Sequence, residues 1–176
     1  MNNEASAKAS GLGALDFTSL RAEALEDWLP YMFGNRFASI LALKGEPGEA
    51  ERRGQPFFGA DSQALESALV ALGWETNSWC GIALTLANQE TMHAEELRLL
   101  IETIDPSALL ALDNLAIEAL QESYGIDLMP RIPKPGAKTM LLGRSLVFVD
   151  GFEAALASYK EEAKRRVWQE LKALKA

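Results

Sequence analysis

The sequence predicts a three-layer α/β/α domain on a four-stranded parallel sheet, and three observations carry that prediction. Short, nearly continuous apolar runs recur along the chain, separated by stretches with helical spacing; this is the pattern of parallel strands buried on both faces. A chain of 176 residues is long enough to bury one real core. Hydrophobic residues are 48% and charged residues 24%, an ordinary globular composition that argues against wholesale disorder.

The elements follow in order. Residues 1–16, MNNEASAKASGLGALD, lack a basic segment followed by an apolar one, so they read as a flexible leader rather than a secretion signal, and 17–176 as a single domain. FTSLRAEALEDWLPYMF has helical spacing at Leu20, Leu25, Trp28 and Leu29, with Pro30 placed to bend or end it. RFASILAL is the first strand. DSQALESALVAL opens with Asp61 and Ser62 as N-cap candidates and sets Leu65, Leu69 and Leu72 on one face. WCGIALTL is the second strand, and MHAEELRLLIETI a helix stopped by Asp105 and Pro106. ALLAL is the third strand, and DNLAIEALQESYG a helix with Gly125 as its stop. After the loop MPRIPKPG, RSLVFVD is the fourth strand and FEAALASYKEEAKRRVWQELKAL one long closing helix.

Charge and composition exclude several functions. The formal charge is −8, with eleven basic and twenty-one acidic residues before position 151 and six basic against four acidic after it. Duplex binding needs clustered cations to displace counterions from phosphates, and only the closing helix offers any. Its interleaved Glu161, Glu162 and Glu170 suit a solvated amphipathic face, so weak or no nucleic-acid binding is expected. No apolar run approaches a membrane span. Cys80 is the only cysteine, so no intrachain disulfide can form, which fits a reducing cytoplasm. The chain carries no phosphate-cradling glycine loop, no zinc-type His/Cys cluster and no Gly-x-Ser-x-Gly.

In a parallel sheet, ligands bind beyond the carboxyl ends of the strands. That selects the loops at 43–60, 87–92, 113–114 and 150–153. The first holds two short motifs, GEPG at Gly45–Gly48 and GQPFFG at Gly54–Gly59, followed by ALESALVALGW. Farther along come ELRLLIETIDPSALLALDNLAIEAL and KRRVWQEL.

This ordered set, over roughly residues 36–173, resembles the uracil-DNA glycosylase superfamily, and its family 4 enzymes in particular. The resemblance implies the α/β/α fold and a pocket in which an extruded uracil stacks on an aromatic ring and is read by a side-chain amide. It assigns the acidic loop position to Glu46 as a vestigial catalytic candidate. It assigns Gly45, Glu46, Pro47, Gly48 and Phe57 to ligand binding, with Phe57 as the stacking ring over a shallow pocket; read without the resemblance, Phe57 is equally a core aromatic that anchors the loop.

The departures from the family pattern are as informative. Ala83 stands where the family has its uracil-reading Asn, and the next amide, Asn88, lies about five positions too far along. Phe152 or Glu153 falls where a histidine would stabilise charge on the departing base. One cysteine cannot hold the four-cysteine iron–sulfur cluster of family 4. The cluster is therefore expected to be absent, with Trp28, Tyr31 and Phe33 supplying packing in its stead, and neither metal nor cofactor is expected. His93, the only histidine, reads as a helix-start residue.

The resulting expectation is a catalytically inactive glycosylase-fold protein acting as a binding or assembly module with a protein partner, with DNA replication or repair as the context the resemblance implies. The psi subunit of bacterial DNA polymerase III, which has a related fold without glycosylase activity, illustrates such a use. The alternatives are a divergent active glycosylase working through Glu46 and Phe57, and an unrelated function grafted on a common α/β fold.

Overall fold

The computed structural model describes residues 25–86 and 91–175. The leader, the first part of the segment at 17–33, and Asn88 lie outside the described residues. The protein is a mixed α/β structure around a six-stranded sheet. Its strands are β1 (Met32–Gly34), β2 (Ile40–Lys44), β3 (Trp79–Ala83), β4 (Ala108–Ala111), β5 (Lys138–Leu141) and β6 (Arg144–Phe148). They lie in the order β1-β3-β2-β4-β6-β5. The inner pairings are parallel, with Leu41 opposite Cys80 and Leu109 and with Leu109 opposite Leu146. β1 and β5 close the two edges antiparallel to β3 and β6.

Alternation along the inner strands sorts their side chains into two cores. Leu41, Leu43, Cys80, Ile82, Leu109 and Leu146 face one layer. There they meet α3 (Ala94–Ile104) through Leu97, Leu100 and Ile101, and α4 (Asn114–Leu128) through Ile117 and Leu120. Ile40, Ala42, Trp79, Leu110 and Val147 face the other. That layer is closed by α2 (Ala60–Ala71) through Leu65 and Leu69, by α5 (Phe152–Ala157) through Phe152, and by α6 (Glu161–Leu171) through Val167 and Leu171. A one-turn helix, α1 (Glu49–Arg52), sits in the loop after β2.

Several elements differ from the sequence expectation. The described part of the first predicted helix is a 3₁₀ turn, Glu26–Tyr31, holding Pro30 and burying none of its residues, and the chain then enters β1. Trp28 and Tyr31 pack on the α3–α4 layer, whereas Phe33 packs on the other layer against Trp79. β5 escaped notice because its pattern is three exposed residues and one buried, with no apolar run to read. The N-cap of α2 is Gly59 rather than Asp61 or Ser62, which lie inside its first turn. Gly125 departs from helical geometry at φ 77°, yet the chain resumes as far as Leu128. The closing helix is two helices, because Ser158 and Lys160 are extended at ψ 138° and 113° between α5 and α6.

Candidate functional site

β2 delivers Lys44 to its carboxyl end, and the chain turns at once through Gly45. Asp113, just past β4, caps α4 by accepting the Ala116 N–H at 2.8 Å. The same carboxylate reaches across to accept the Gly45 N–H at 2.9 Å and the Glu46 N–H at 3.1 Å. The loop is thereby drawn onto the start of α4 so closely that a Cβ at position 45 would meet Leu115 Cβ at 2.5 Å and the Ala116 nitrogen at 2.6 Å. Only glycine fits that approach.

Lys44 then becomes the centre of the site. Its ammonium is ion-paired to Glu51 at 2.9 Å, to Asp61 at 2.9 Å and to Glu153 at 2.5 Å. These carboxylates come from the first turns of α1, α2 and α5, where the helix dipole favours negative charge. Glu51, fully buried, also accepts the Gly48 N–H at 3.0 Å and the Phe57 N–H at 2.8 Å. Burial alone would lower the lysine pKa, but the bonds to Asp61, Glu153 and Glu51 outweigh it and hold the ammonium protonated well above its usual range. The three carboxylates bring oxygens within 4.8 Å of one another, a spacing that could hold a metal ion. The Lys44 ammonium already bonds all three, so the place of a cation is taken by the chain's own side chain.

A cleft of about 250 Å³ opens above this cluster, between the loop after β2 and the start of α5. Glu46, Pro47, Gly48 and Arg52 form one wall, Leu112 and Asp113 the floor, and Gly151, Phe152 and Glu153 part of the other wall. Glu153 leans so far over Gly48 that a Cβ there would meet its carboxylate at 2.1 Å. The lining holds two cations, Lys44 and Arg52, against four carboxylates, Glu46, Asp61, Asp113 and Glu153.

The structure thus brings Glu46, Pro47 and Gly48 together at the cleft, with Gly45 buried behind them. Phe57 is not with them. Its ring is fully buried in the α2-side core, edge-on to Trp79 with ring centres 5.6 Å apart. One face of the ring rests on β3, where a Cβ at Gly81 would lie 2.7 Å from it. The Lys44 ammonium stands 5.6 Å from the ring centre. The expectation of Phe57 lining a shallow pocket is corrected accordingly: the residue is core because Gly81 leaves a seat for it and Lys44 covers it. Its neighbour Phe58 is the exposed ring of the pair.

Other candidates are also placed. Ala83 is fully buried at the end of β3, in register with Lys44. Of the two residues at the histidine position, Phe152 belongs chiefly to the core and Glu153 presents its carboxylate to the cleft. Arg144 is far from forming a basic groove there. It opens β6 at the opposite end of the sheet, buried and paired with Glu102 and Asp105. Arg53 pairs with Glu49. His93 is the exposed N-cap of α3, its N–H donating to Glu96 at 3.0 Å. The cations of α6 are partly spent locally, Lys164 on Glu161 and Arg166 on Asp150 and Glu170, with Lys172 over the Trp168 ring.

Sequence reasoning missed the Lys44–Glu51–Asp61–Glu153 cluster. Two signals point to it: a lysine ending the otherwise apolar strand ILALK, and a Glu three residues after Gly48 at a helix start. No family model and no curated protein matches the chain.

Proposed function

We propose that the chain is a uracil-DNA glycosylase-fold protein that does not excise bases and serves as a protein-binding or assembly module, with a link to DNA replication or repair. One observation carries this reading. The space over the Phe57 ring, where a base would stack, is occupied by the Lys44 ammonium under three carboxylates. Lys44 has three N–H donors and three carboxylate partners, so none remains for a phosphate or a pyrimidine oxygen.

Two further features agree. Ala83 offers no hydrogen bond to a pyrimidine edge, and a buried polar edge left unpaired costs about 1–3 kcal/mol. Glu153 places a carboxylate where negative charge would gather on a departing base, the reverse of the preorganised stabilisation that such a step needs. The four carboxylates of the cleft also repel the DNA backbone. The alternative, an active glycosylase using Glu46 and Phe57, requires a free face on Phe57, and that ring is fully buried.

The test is incubation of the full chain with single- and double-stranded uracil-containing oligonucleotides at low salt, followed by alkaline cleavage and a denaturing gel. No abasic product is expected. Excision by the unmodified protein that disappears in Glu46→Gln would return the chain to the enzymes.

A further inference from the structure

We propose that the groove between Phe58 and Leu156 docks a lysine or arginine side chain carried on an apolar peptide segment of a partner protein. The inference rests on the reading of the chain as a protein-binding module and names the class of partner.

The cleft above Lys44 is not alone. A second one, of about 220 Å³, shares Lys44, Asp61, Glu153 and Ala157 with it. Its remaining walls are apolar: Ala50, Phe58, Ala60 and Leu156. The Phe58 ring is 65% exposed although its neighbour Phe57 is fully buried. Fixed beside Leu156, it offers an apolar surface that no other described part of the chain covers. Aromatic rings, phenylalanine among them, are enriched at protein interfaces relative to the rest of the surface.

Charge selects the occupant. Asp61 and Glu153 line the groove together with Lys44, and the buried Glu51 pairs with the same ammonium behind them, so the cluster as a whole carries two negative charges in excess. Every N–H of Lys44 is engaged, so the cluster has no donor for an anion. Glu153 is the member open to solvent, with its side chain 42% exposed against 0% for Glu51 and 9% for Asp61. A guanidinium or ammonium entering beside Phe58 would pair with Glu153 while its aliphatic stem lay along Phe58 and Leu156. The Phe58 ring adds a cation–π contact of the same sign preference.

The probe is an array of immobilised peptides with a central Arg, Lys, Gln or Glu flanked by Leu, Val and Ala, overlaid with the full chain. The strongest peptide is then titrated by fluorescence anisotropy. Arg- and Lys-centred peptides are expected to bind and their Gln and Glu counterparts not. Phe58→Ser and Glu153→Gln should each weaken binding by about tenfold, the range of a single anchor contact. Arg165→Ala, on the exposed face of α6, should leave it unchanged. Capture of no peptide, equal capture of Arg- and Glu-centred peptides, or binding indifferent to Phe58→Ser would overturn the proposal while leaving the module reading standing. Labelled oligothymidine run in the same assay separates the two: tight binding of it would count against the module reading itself.

Discussion

Replacing Lys44 with methionine keeps the length of the side chain and removes its charge. Glu51, Asp61 and Glu153 would then face one another around an apolar tip, with Glu51 fully buried and Asp61 nearly so. Removing one partner of a buried ion pair typically costs about 3–5 kcal/mol, because the remaining charge stays desolvated and unpaired. In a domain of this size each kcal/mol moves Tm by about 2–4 °C, so a fall of roughly 6–20 °C is expected at neutral pH. In the unmodified protein the Lys44 pKa is raised, so its contribution is complete below the lysine's unfolded value and is lost only as strongly alkaline pH rises through the folded one. Urea titrations of both proteins at pH 7, followed by tryptophan fluorescence, measure the loss. A loss below about 1 kcal/mol would refute the account of Lys44 as the clamp of the site. The triple change Lys44→Met, Asp61→Asn, Glu153→Gln should recover much of the loss by removing the repulsion.

Other expectations follow from the same packing. Phe57→Ala should cost about 3–5 kcal/mol in chemical denaturation, as expected of a core ring rather than a ligand contact. Gly81→Val drives a side chain into the Phe57 ring, so it should destabilise the fold and disturb the near-ultraviolet signal of Trp79; a silent substitution would mean the ring is not seated on β3. Cys80 is fully buried and its thiol is pushed up to about 12 by burial, so alkylation at pH 8 should await unfolding. At the far end of the sheet, burial would raise the Glu102 carboxyl, but Arg144 and Tyr124 hold it below its ordinary value. That contribution is present above the unfolded carboxyl pKa and lost as pH falls through the folded one, so Glu102→Gln should flatten the acid limb of the stability curve.

The sequence by itself determined the four inner strands of the sheet and much of their helical cover, but neither antiparallel edge strand. Strand runs such as ILAL and ALLA are buried on both faces, so burial leaves a direct mark in composition. The same holds for the inward faces of α2 and α3, whose leucines recur at helical spacing. The loop glycines were legible too, since Gly45 is forced by a contact with α4 that no larger residue permits. Edge strand β5 and the break at Ser158–Lys160 were not legible, because half-exposed residues and backbone bends leave little pattern to read. The site shows the division most clearly. Glu46 and Phe57 were both marked by their motif, yet one lines the cleft and the other lies in the core. What decided this was Lys44 meeting carboxylates from positions 51, 61 and 153. A charge cluster assembled from one strand end and three helix starts, the last of them about a hundred residues farther along, has no local periodicity. Its members are ordinary surface residue types until folding removes the water around them and sets Lys44 against all three carboxylates, with the Gly48 and Phe57 N–H groups completing the shell of Glu51.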